Sequence, residues 1–513
     1  MGTPIVYLIG AGPGDPGLIT VKGLECIARA DVVIYDYLAN SAFLEHARED
    51  AEIIYVGKKG FTAHVTQDEI NELIVSKALE GGGRSVARLK GGDPFIFGRG
   101  GEEALALVDA GVRFEVVPGI SAGYAAPAYA GIPVTHRGIT TEMAFVTGHE
   151  DPTKPDSDID WPHLAKGVGT VCFFMGVKNL PNIVANLTAN GRPASTPVAL
   201  VRWGSTPRQE VLVGTLADIA EKAAAVGFKA PAITVVGEVV KLREKLAWFE
   251  NRPLFGRTIV VTRSRAQSSG LSKRLRDLGA EVLECPAIRI EDPESFEAID
   301  VAIRNIDVYD WLVLTSVNGV ERFFDRLDQA DMDGRHLHGL RVAAIGPATA
   351  AACMDHGIRP DFVPAEYRAE GILEGLAERG VGVDSRILIA RATEARELLP
   401  EELTSRGAIV DVVPVYRTVL GEGDPAVIER IVAGDADAVT FTSSSTVRNF
   451  MTMLGDVDLD AAFSNTLIVS IGPITSRTAV ELGLKVAVEA AEYTIPGLVD
   501  AVCEYFSEKG PER

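Results

Sequence analysis

Long hydrophobic runs, paired cysteines and a surplus of positive charge are all missing from this sequence. No apolar run approaches the roughly 20 residues of a membrane-crossing helix, and the first residues lead into a strand pattern without the basic stretch of a secretion signal. The five cysteines are scattered without a C-x-x-C pair, and no cluster of His, Cys and carboxylates has ligand spacing. We therefore expect a cytoplasmic protein with reduced thiols, no metal and no membrane partner.

Positive charge is scarce, because 50 lysines and arginines stand against 71 aspartates and glutamates. The net charge of −21 argues against a nucleic-acid partner, which binds a basic face. An anionic small molecule stays open, since single cations such as Arg99 and Arg263 lie beside glycine loops or strand ends. For each of them the alternative is a solvated surface charge.

Two unrelated halves meet near residue 250, where a helical pattern ends and Pro253 and Gly256 precede a new strand. This predicts domains at 1–244 and 256–513 joined by a linker at 245–255. In the first half, apolar segments alternate with helical patterns, which is typical of α/β sheets covered on both faces. The predicted strands are 5–9, 31–35, 51–55, 85–89, 114–117, 143–146, 169–175, 197–201 and 232–236.

The second half contains an internal repeat, in which 260–263 recurs at 388–391, 310–320 at 437–447 and 342–349 at 468–475. Each copy has strand, loop and helix patterns several times over, which predicts two copies of a parallel α/β lobe. A two-lobed protein of this kind is expected to bind its ligand in the cleft between the lobes.

One loop of the first half lies between the strand at 85–89 and a predicted helix at 102–110. Gly91 and Gly92 let the backbone bend and let a ligand approach closely. Asp93 offers a carboxylate at the bend, and Pro94 stiffens the exit. This predicts a ligand-binding loop, with a structural turn as the alternative.

The first strand runs into another glycine turn, at 10–17. The dinucleotide pattern G-x-G-x-x-G is met only by Gly12, Gly14 and Gly17, with Pro13 and Pro16 in between. Prolines remove N–H donors and delay the helix that would receive a pyrophosphate. We therefore predict a rigid turn beside a non-phosphate ligand, and a dehydrogenase is the weakest interpretation.

Residues 3–244 resemble uroporphyrinogen-III C-methyltransferases of the tetrapyrrole methylase family, through ordered motifs at 10–17, 35–36, 57–59, 66–71, 89–103, 117–122, 131–137, 147–149 and 174–176. The resemblance implies two α/β subdomains with S-adenosylmethionine in the cleft between them. The residues implied to contact it are Pro13, Gly91, Gly92, Asp93, Ile96, Ser121, Ala122, Met175 and Gly204. From the residues alone, Ile96 and Met175 are equally core side chains.

The same resemblance implies Asp36 as a base, Lys58 as an acid and Arg99 as a partner of substrate carboxylates. A pyrrole carbon is electron-rich, so alignment supplies most of the rate of methyl transfer. The methylated ring is cationic and then loses a proton, for which a carboxylate base is suited. From the residues alone, Asp36 is equally an N-cap for the helical stretch near Ser41.

Two hydroxyl-rich loops of the second half each leave a strand and open a helix. Hydroxyls at helix N-termini bind carboxylates, although helix capping is the alternative. Because one loop occurs in each repeat, we predict substrate binding by Arg263 and by the loop residues Thr315, Ser316, Thr442, Ser443 and Ser444.

Residues 256–506 resemble uroporphyrinogen-III synthases, through motifs at 261–263, 314–320, 344–349, 415–418, 441–444 and 471–473. The resemblance implies cyclisation of hydroxymethylbilane with loss of water and inversion of ring D. It also implies two crossed lobes, 256–286 with 416–506 and 290–412. Tyr416 is a candidate acid for hydroxide departure, and a hinge-packing aromatic is the alternative.

The two resemblances together imply a bifunctional enzyme. Its C-terminal half would make uroporphyrinogen III, and its N-terminal half would methylate that product twice to precorrin-2, for the cobalamin and sirohaem branches. The methylase family also implies a homodimer. The alternative is a methylase of a later precorrin fused to a module that only binds a tetrapyrrole.

Overall fold

The computed structural model describes residues 4–57, 66–149, 157–263 and 265–509. The chain divides into two units. The first ends at Arg257 and also takes in Leu275–Glu281, and the second contains Thr258–Arg274 and the chain from Val282 onward.

The first unit contains two five-stranded sheets. Its strands are β1 (Ile5–Gly10), β2 (Val32–Tyr35), β3 (Glu52–Tyr55), β4 (Ser85–Lys90), β5 (Arg113–Val117), β6 (Met143–Thr147), β7 (Thr170–Phe174), β8 (Pro197–Arg202), β9 (Glu210–Thr215) and β10 (Ala232–Val236). Its helices are α1 (Val21–Arg29), α2 (Gln67–Leu79), α3 (Gly100–Asp109), α4 (Ala122–Tyr129), α5 (Trp161–Lys166), α6 (Leu180–Ala189), α7 (Ile219–Ala225) and α8 (Arg243–Leu246).

The N-terminal subdomain is built on the sheet with the order β3-β2-β4-β1-β5, whose strands are all parallel. Apolar side chains cover both faces, in clusters that include Ile9 and Leu89 on one side and Leu8 and Val86 on the other. Because the strands are parallel, their carboxyl ends meet at one edge of the sheet. That edge carries the loops in which the sequence predicts a site.

The second subdomain is built on the sheet with the order β6-β7-β10-β8-β9. Its neighbouring strands β6 and β7 pair in parallel, and the other three neighbouring pairs are antiparallel. All nine predicted strands of the first unit are confirmed, with ends that differ by one residue at most. The structure adds β9, which the sequence analysis missed. This strand lies at the edge of its sheet and is partly exposed, so its apolar pattern is weak.

The second unit also contains two five-stranded sheets. Its strands are β11 (Thr258–Val261), β12 (Glu281–Glu284), β13 (Ile288–Glu291), β14 (Trp311–Leu314), β15 (Arg341–Ala344), β16 (Arg386–Ala392), β17 (Ile409–Leu420), β18 (Ala438–Phe441), β19 (Leu467–Ser470) and β20 (Val486–Glu489). Its helices are α9 (Arg265–Asp277), α10 (Glu297–Arg304), α11 (Val317–Gln329), α12 (Pro347–Asp355), α13 (Ala369–Glu378), α14 (Leu398–Ser405), α15 (Pro425–Val432), α16 (Ser444–Leu454), α17 (Leu459–Ala462), α18 (Pro473–Glu481) and α19 (Ile495–Lys509).

The two sheets of the second unit define lobe A, with the order β12-β11-β18-β19-β20, and lobe B, with the order β13-β17-β16-β14-β15. The sequence repeat makes β12 equivalent to β17, β11 to β16, β18 to β14, and β19 to β15. These equivalent strands therefore have the same order in the two sheets. Each lobe takes strands from both copies of the repeat. A lobe is therefore not one copy of the repeat, and the two copies exchange halves.

The boundary between the lobes lies later than the resemblance implies. Strand β17 continues past residue 412, pairs with β16 as far as Ala392 opposite Tyr416, and ends at Leu420 opposite Ile288 of β13. Residues 413–420, including Tyr416, therefore belong to lobe B and not to the lobe of 256–286. The continued ladder of hydrogen bonds is the physical reason.

The five cysteines are free, and four of them are buried. Burial raises the pKa of the Cys172 thiol to about 12 and that of Cys285 to about 11. Buried neutral thiols of this kind are structural and unreactive. Within the described ranges, no helix is both long enough and apolar enough to span a membrane.

Candidate active sites

Four glycines at the carboxyl edge of the N-terminal subdomain bring the ends of β1, β4 and β5 into backbone contact. The Gly12 N–H donates to Gly92 O at 3.2 Å, and the Gly92 N–H donates to Gly12 O at 2.7 Å. A Cβ on Gly119 would lie 2.4 Å from Gly92 O, and one on Gly10 would lie 2.4 Å from the Gly119 Cα. Only glycine fits such an approach, and Gly12 and Gly92 also have positive φ.

Asp93 holds two of these loops together. Its Oδ1 accepts the Phe95 N–H at 2.8 Å, and its Oδ2 accepts the Gly119 N–H at 2.9 Å. Each oxygen keeps a second lone pair for a ligand. The neighbouring Gly91 lies against the loop after β2, since a Cβ there would be 2.5 Å from the Cβ of Leu38.

The first glycine turn is clamped from outside. The Asp15 N–H donates to Ser205 Oγ at 3.2 Å, and the Tyr129 hydroxyl donates to Asp15 Oδ2 at 2.8 Å. A short 3-10 turn follows at Pro16–Leu18, and α1 begins only at Val21. The turn is thus rigid and has no immediate helix, which agrees with the predicted non-phosphate ligand. Pro13 is partly buried within it.

Backbone strain in the first unit concentrates around this edge. The non-glycine residues with φ between 47° and 70° among its described residues are Phe97, Arg99, Met175, Trp203 and Ser205. They lie in the loop before α3 and in the loops after β7 and β8, and such strain clusters at ligand sites.

The predicted cofactor residues of the second half of the first unit lie in or beside these loops. Met175 is 52% exposed, so the alternative of core filling is wrong for its side chain, and Ile96 is partly buried. A Cβ on Gly204 would lie 2.4 Å from the Ala126 Cβ, which places this loop against α4.

Ser121 also has a structural role. It is almost fully buried and is the N-cap of α4, where its Oγ accepts the Gly123 N–H at 3.3 Å. Its hydroxyl hydrogen stays available as a donor. Ala122 follows as the first residue of the helix, beside Gly92.

Asp36 directly follows β2 and is held at both oxygens. Its Oδ1 accepts the Leu38 N–H at 3.0 Å, and its Oδ2 accepts from Arg88 Nη2 at 3.1 Å. The N-cap of the helical turn at Ser41–His46 is Asn40, whose Oδ1 accepts the Ala42 N–H. The alternative that Asp36 caps this turn is therefore wrong.

Arg88 belongs to a buried charge network of four residues: Asp36, Arg88, Lys90 and Glu103. Glu103 Oε1 accepts from Arg88 Nε at 3.2 Å and from Lys90 Nζ at 2.7 Å. The side chains of Arg88 and Glu103 are 3% and 0% exposed. Burial, and then the nearby Arg88, lowers the pKa of Lys90. The sequence analysis missed this network, because its members meet only once β4 pairs with β2 and α3 packs on the sheet.

The two predicted cations differ in what can be said of them. Arg99 is exposed, and its guanidinium forms two parallel hydrogen bonds with the Glu102 carboxylate, at 2.9 and 2.7 Å. This pairing raises the pKa of Arg99, and a substrate carboxylate there has to compete with Glu102. Lys58 lies outside the described residues.

In the second unit, Ser316 and Tyr416 meet within lobe B. Ser316 is the N-cap of α11, with its Oγ accepting the Gly319 N–H at 3.0 Å, and the same Oγ lies 3.0 Å from the Tyr416 Oη. Burial raises the pKa of Tyr416, so its phenol stays protonated at neutral pH. Ser316 therefore caps α11 and also contacts the hydroxyl of Tyr416. Thr315, the residue before it, is partly buried.

A cavity of about 580 Å³ lies between the lobes, beside the second hydroxyl loop. Lobe A contributes Ser443–Ser445 and Arg448 to its wall, and lobe B contributes Glu394–Arg396. Ser443 is also the N-cap of α16. Ser444 Oγ accepts from Thr478 Oγ1 at 2.9 Å, and Thr442 is partly buried just before the cap.

The predicted cleft is present, but its opposite wall differs from the expectation. The residues that face the Ser443 loop are 394–396, and Thr315 and Ser316 do not line this cavity. Arg396 and Arg448, which the sequence analysis did not single out, add positive charge to the wall. A basic residue within the first turns of a helix after a Thr-Ser-Ser loop is the signal that could have found Arg448.

The repeated arginines lie at the ends of equivalent strands, Arg391 within β16 and Arg263 two residues after β11. Arg391 is buried, and it donates to Arg396 O at 2.6 Å and to the Glu397 carboxylate, so it shapes the turn beside the cavity. Its counterpart Arg263 follows β11, and burial lowers the pKa of its guanidinium.

These features define a two-part α/β enzyme, with a strand-edge site in the first unit and a cavity between two lobes in the second. Residues 5–220 match the family of tetrapyrrole (corrin/porphyrin) methylases, and residues 269–500 match the family of uroporphyrinogen-III synthase HemD. The chain belongs to the family in which these two enzymes are joined, and both resemblances are confirmed.

Similar proteins cover the whole chain or one half of it. The porphyrin biosynthesis protein HemD of Ruminiclostridium josui is 39% identical over 500 residues, which are 97% of each chain. The S-adenosyl-L-methionine-dependent uroporphyrinogen III methyltransferase of Methanosarcina barkeri (strain Fusaro / DSM 804) is 53% identical over 47% of this chain and 94% of its own. The crystal structure of uroporphyrin-III C-methyl transferase from Thermus thermophilus with S-adenyl homocysteine is 38% identical over 47% of this chain and 100% of its own, with a TM-score of 0.40.

Proposed function

We propose that the second unit cyclises hydroxymethylbilane to uroporphyrinogen III and that the first unit methylates this product twice to precorrin-2, with S-adenosylmethionine as methyl donor. One observation carries the proposal. A single chain joins the two families, and the relatives' names give uroporphyrinogen III as the product of one half and the substrate of the other.

The residues at the strand edge of the first unit fit a cationic, non-phosphate cofactor. Prolines replace N–H donors in the first glycine turn, and α1 begins only at Val21. Met175 offers a half-exposed, polarizable thioether wall. When bound, S-adenosylmethionine supplies the methyl group, and the loops around Gly92 and Gly204 align it with the pyrrole carbon.

Asp36 is the proposed base of the first unit. Its carboxylate is partly exposed at the same edge, while its partner Arg88 is buried beneath it. After methyl transfer, the Asp36 carboxylate accepts the proton that the cationic ring must lose. Arg99 is the proposed partner of substrate carboxylates, and Lys58 is the proposed acid.

Tyr416 is the proposed acid of the second unit. Its protonated phenol transfers a proton to the departing hydroxide of hydroxymethylbilane, which leaves as water. Arg263, Arg396, Arg448 and the hydroxyls of the Thr315-Ser316 and Thr442-Ser443-Ser444 loops are the proposed partners of the substrate's carboxylates.

We propose the methylase part at 1–244, the linker at 245–255 and the synthase part at 256–513. Phe249 of that linker is buried and packs on Tyr129 of α4 with ring centroids 4.7 Å apart, so the linker is a packed segment of the first unit.

The free cysteines support a cytoplasmic location. A homodimer through the first unit is supported by exposed Leu105, Val108 and Phe114 on α3 and β5, and light scattering measures it.

The decisive experiment follows hydroxymethylbilane through the purified chain with and without S-adenosylmethionine. We expect uroporphyrinogen III without the methyl donor and a product heavier by two CH₂ units with it. Spontaneous uroporphyrinogen I alone would support a module that only binds a tetrapyrrole. Uroporphyrinogen III that is formed but not methylated would support a methylase of a later precorrin.

Gly119→Ala is expected to weaken binding of S-adenosylmethionine by about 5- to 150-fold. The added Cβ overlaps Gly92 O and the Gly10 Cα, and overpacking costs about 1–3 kcal/mol, of which about 1.4 is a factor of ten. Calorimetric titration measures the affinity. Gly101→Ala is the matched control, since its Cβ would meet nothing within 4 Å, and unchanged binding by Gly119→Ala would move the site elsewhere.

Tyr416→Phe is expected to slow cyclisation by about 10²-fold, at the low end of the range for a positioned proton donor. The readout is the ratio of uroporphyrinogen III to spontaneously formed uroporphyrinogen I. Tyr309→Phe is the matched control, because Tyr309 of lobe B also donates a hydroxyl hydrogen bond, to Asp411 at 2.7 Å. A normal ratio for Tyr416→Phe would leave Tyr416 only its packing role.

A further inference from the structure

Arg88 lies in the middle of the N-terminal sheet, where β4 is flanked by Ile34 of β2 and Leu8 of β1. Its side chain is 3% exposed, yet all three nitrogens of its guanidinium are used. Nη2 donates to Asp36, Nε donates to Glu103, and Nη1 donates to Leu89 O at 2.7 Å. The planar group therefore spans two carboxylates from below the site.

We propose that Arg88, held in place by Glu103, is a positioning residue that orients the Asp36 carboxylate for proton removal in the methylase reaction. This inference rests on the proposed function. Asp36 lies on a loop, and within the described residues its Oδ1 accepts only the N–H of Leu38, two residues further on. The guanidinium fixes the other oxygen, and both oxygens keep a lone pair that can accept a proton.

The position of the network argues for a functional role. Buried ion pairs add little stability over apolar side chains of similar size, so stability alone does not explain four charged groups under the site. Lys90 directly precedes Gly91, and Glu103 lies in the first turn of α3, at the other end of the same loop. The buried charge network thus ties the proposed base to both ends of the proposed cofactor loop.

The substitution Arg88→Lys tests this role, because lysine keeps the positive charge but lacks the planar guanidinium that reaches two carboxylates. For Arg88→Lys we expect single-turnover formation of the deprotonated, methylated product from uroporphyrinogen III to fall by about 10- to 100-fold, the scale of a misplaced catalytic group. We expect unchanged affinity for S-adenosylmethionine and unchanged uroporphyrinogen III synthesis by the same chain. Glu103→Gln, which keeps the shape of the side chain, is expected to act in the same direction.

The double variant Asp36→Asn/Arg88→Lys separates positioning from a structural role. If Arg88 acts through Asp36, Arg88→Lys has no further effect once Asp36 is asparagine. An equal loss in both backgrounds, or a loss of cofactor affinity, would overturn the inference. Arg48→Lys is the matched control, since Arg48 pairs with Asp31 and Asp50 on the exposed side of the same subdomain.

The same series distinguishes this inference from the proposed function. If Asp36→Asn alone forms the deprotonated, methylated product at the normal rate, Asp36 is not the base and the inference falls with that assignment. If Asp36→Asn is slow and Arg88→Lys adds its own independent loss, the base stands and only the inference falls.

Discussion

Asp36→Asn is expected to lower the rate at which uroporphyrinogen III becomes the deprotonated, methylated product by about 10²- to 10⁴-fold, the range that a positioned general base contributes. Asparagine has nearly the same shape, and its Oδ1 can still accept the Leu38 N–H. It carries no negative charge and cannot take up the proton of the methylated ring. The loss therefore falls on the chemical step, and the affinity for S-adenosylmethionine stays unchanged.

Stopped-flow absorbance, which follows loss of the proton from the methylated ring, measures this rate. The chain offers its own internal control, because the second unit must still form uroporphyrinogen III at the normal rate. Asp50→Asn is a matched control, since Asp50 is an exposed carboxylate of the same subdomain that accepts two hydrogen bonds from Arg48. Normal methylation by Asp36→Asn would assign the base to another group.

Glu103→Ala is expected to destabilise the N-terminal subdomain by about 3–5 kcal/mol, the scale for removing one partner of a buried ion pair. The substitution removes the carboxylate that pairs with Lys90. It leaves Arg88 with Asp36 as its one remaining carboxylate partner among the described residues. The loss is expected to shrink as the pH rises. Glu103 raises the pKa of Lys90, so its removal lowers that pKa further in the folded state. The folded variant then releases this proton before the unfolded chain does, and its stability grows with pH more than that of the parent chain.

Hydrogen exchange of peptides from β4 and α3 measures this effect locally, which matters because a chain of two units need not unfold in one step. Glu102→Ala is the matched control. Glu102 is the next residue of the same helix and is also ion-paired, but its side chain is 51% exposed, so a change of about 0–1 kcal/mol is expected. Equal effects of the two substitutions would show that burial does not set the strength of the Glu103 interactions.

Local patterns were sufficient to predict most of the fold. Short apolar runs between turns located nine strands of the first unit, and the repeat located equivalent strands in the second. β9 was missed because an edge strand that is half exposed has little apolar contrast with its surroundings. The exchange of halves between the lobes was beyond the repeat itself, since a repeat identifies equivalent strands and does not determine which of them pair.

Site residues that are adjacent in the sequence could be predicted. Site residues that meet only when strands pair and helices pack were harder to predict. Gly91, Gly92 and Asp93 stand together in one loop, so their importance is visible in the sequence. That the Asp93 carboxylate holds Gly119 depends on a contact across 26 residues. Arg88 and Glu103 look like ordinary strand and helix charges until the sheet forms, and Arg396 faces Arg448 only because lobe B folds opposite lobe A.

The exchange of halves between the lobes has a consequence for synthesis on the ribosome. The strands of lobe B lie within one continuous stretch, from Ile288 of β13 to Leu420 of β17. Lobe A begins earlier, with β11, and needs β18 to β20 for its sheet, which ends at Glu489. A nascent chain can therefore close lobe B first, while the strands at 258–284 wait for their final neighbour β18, which is translated only after all of lobe B.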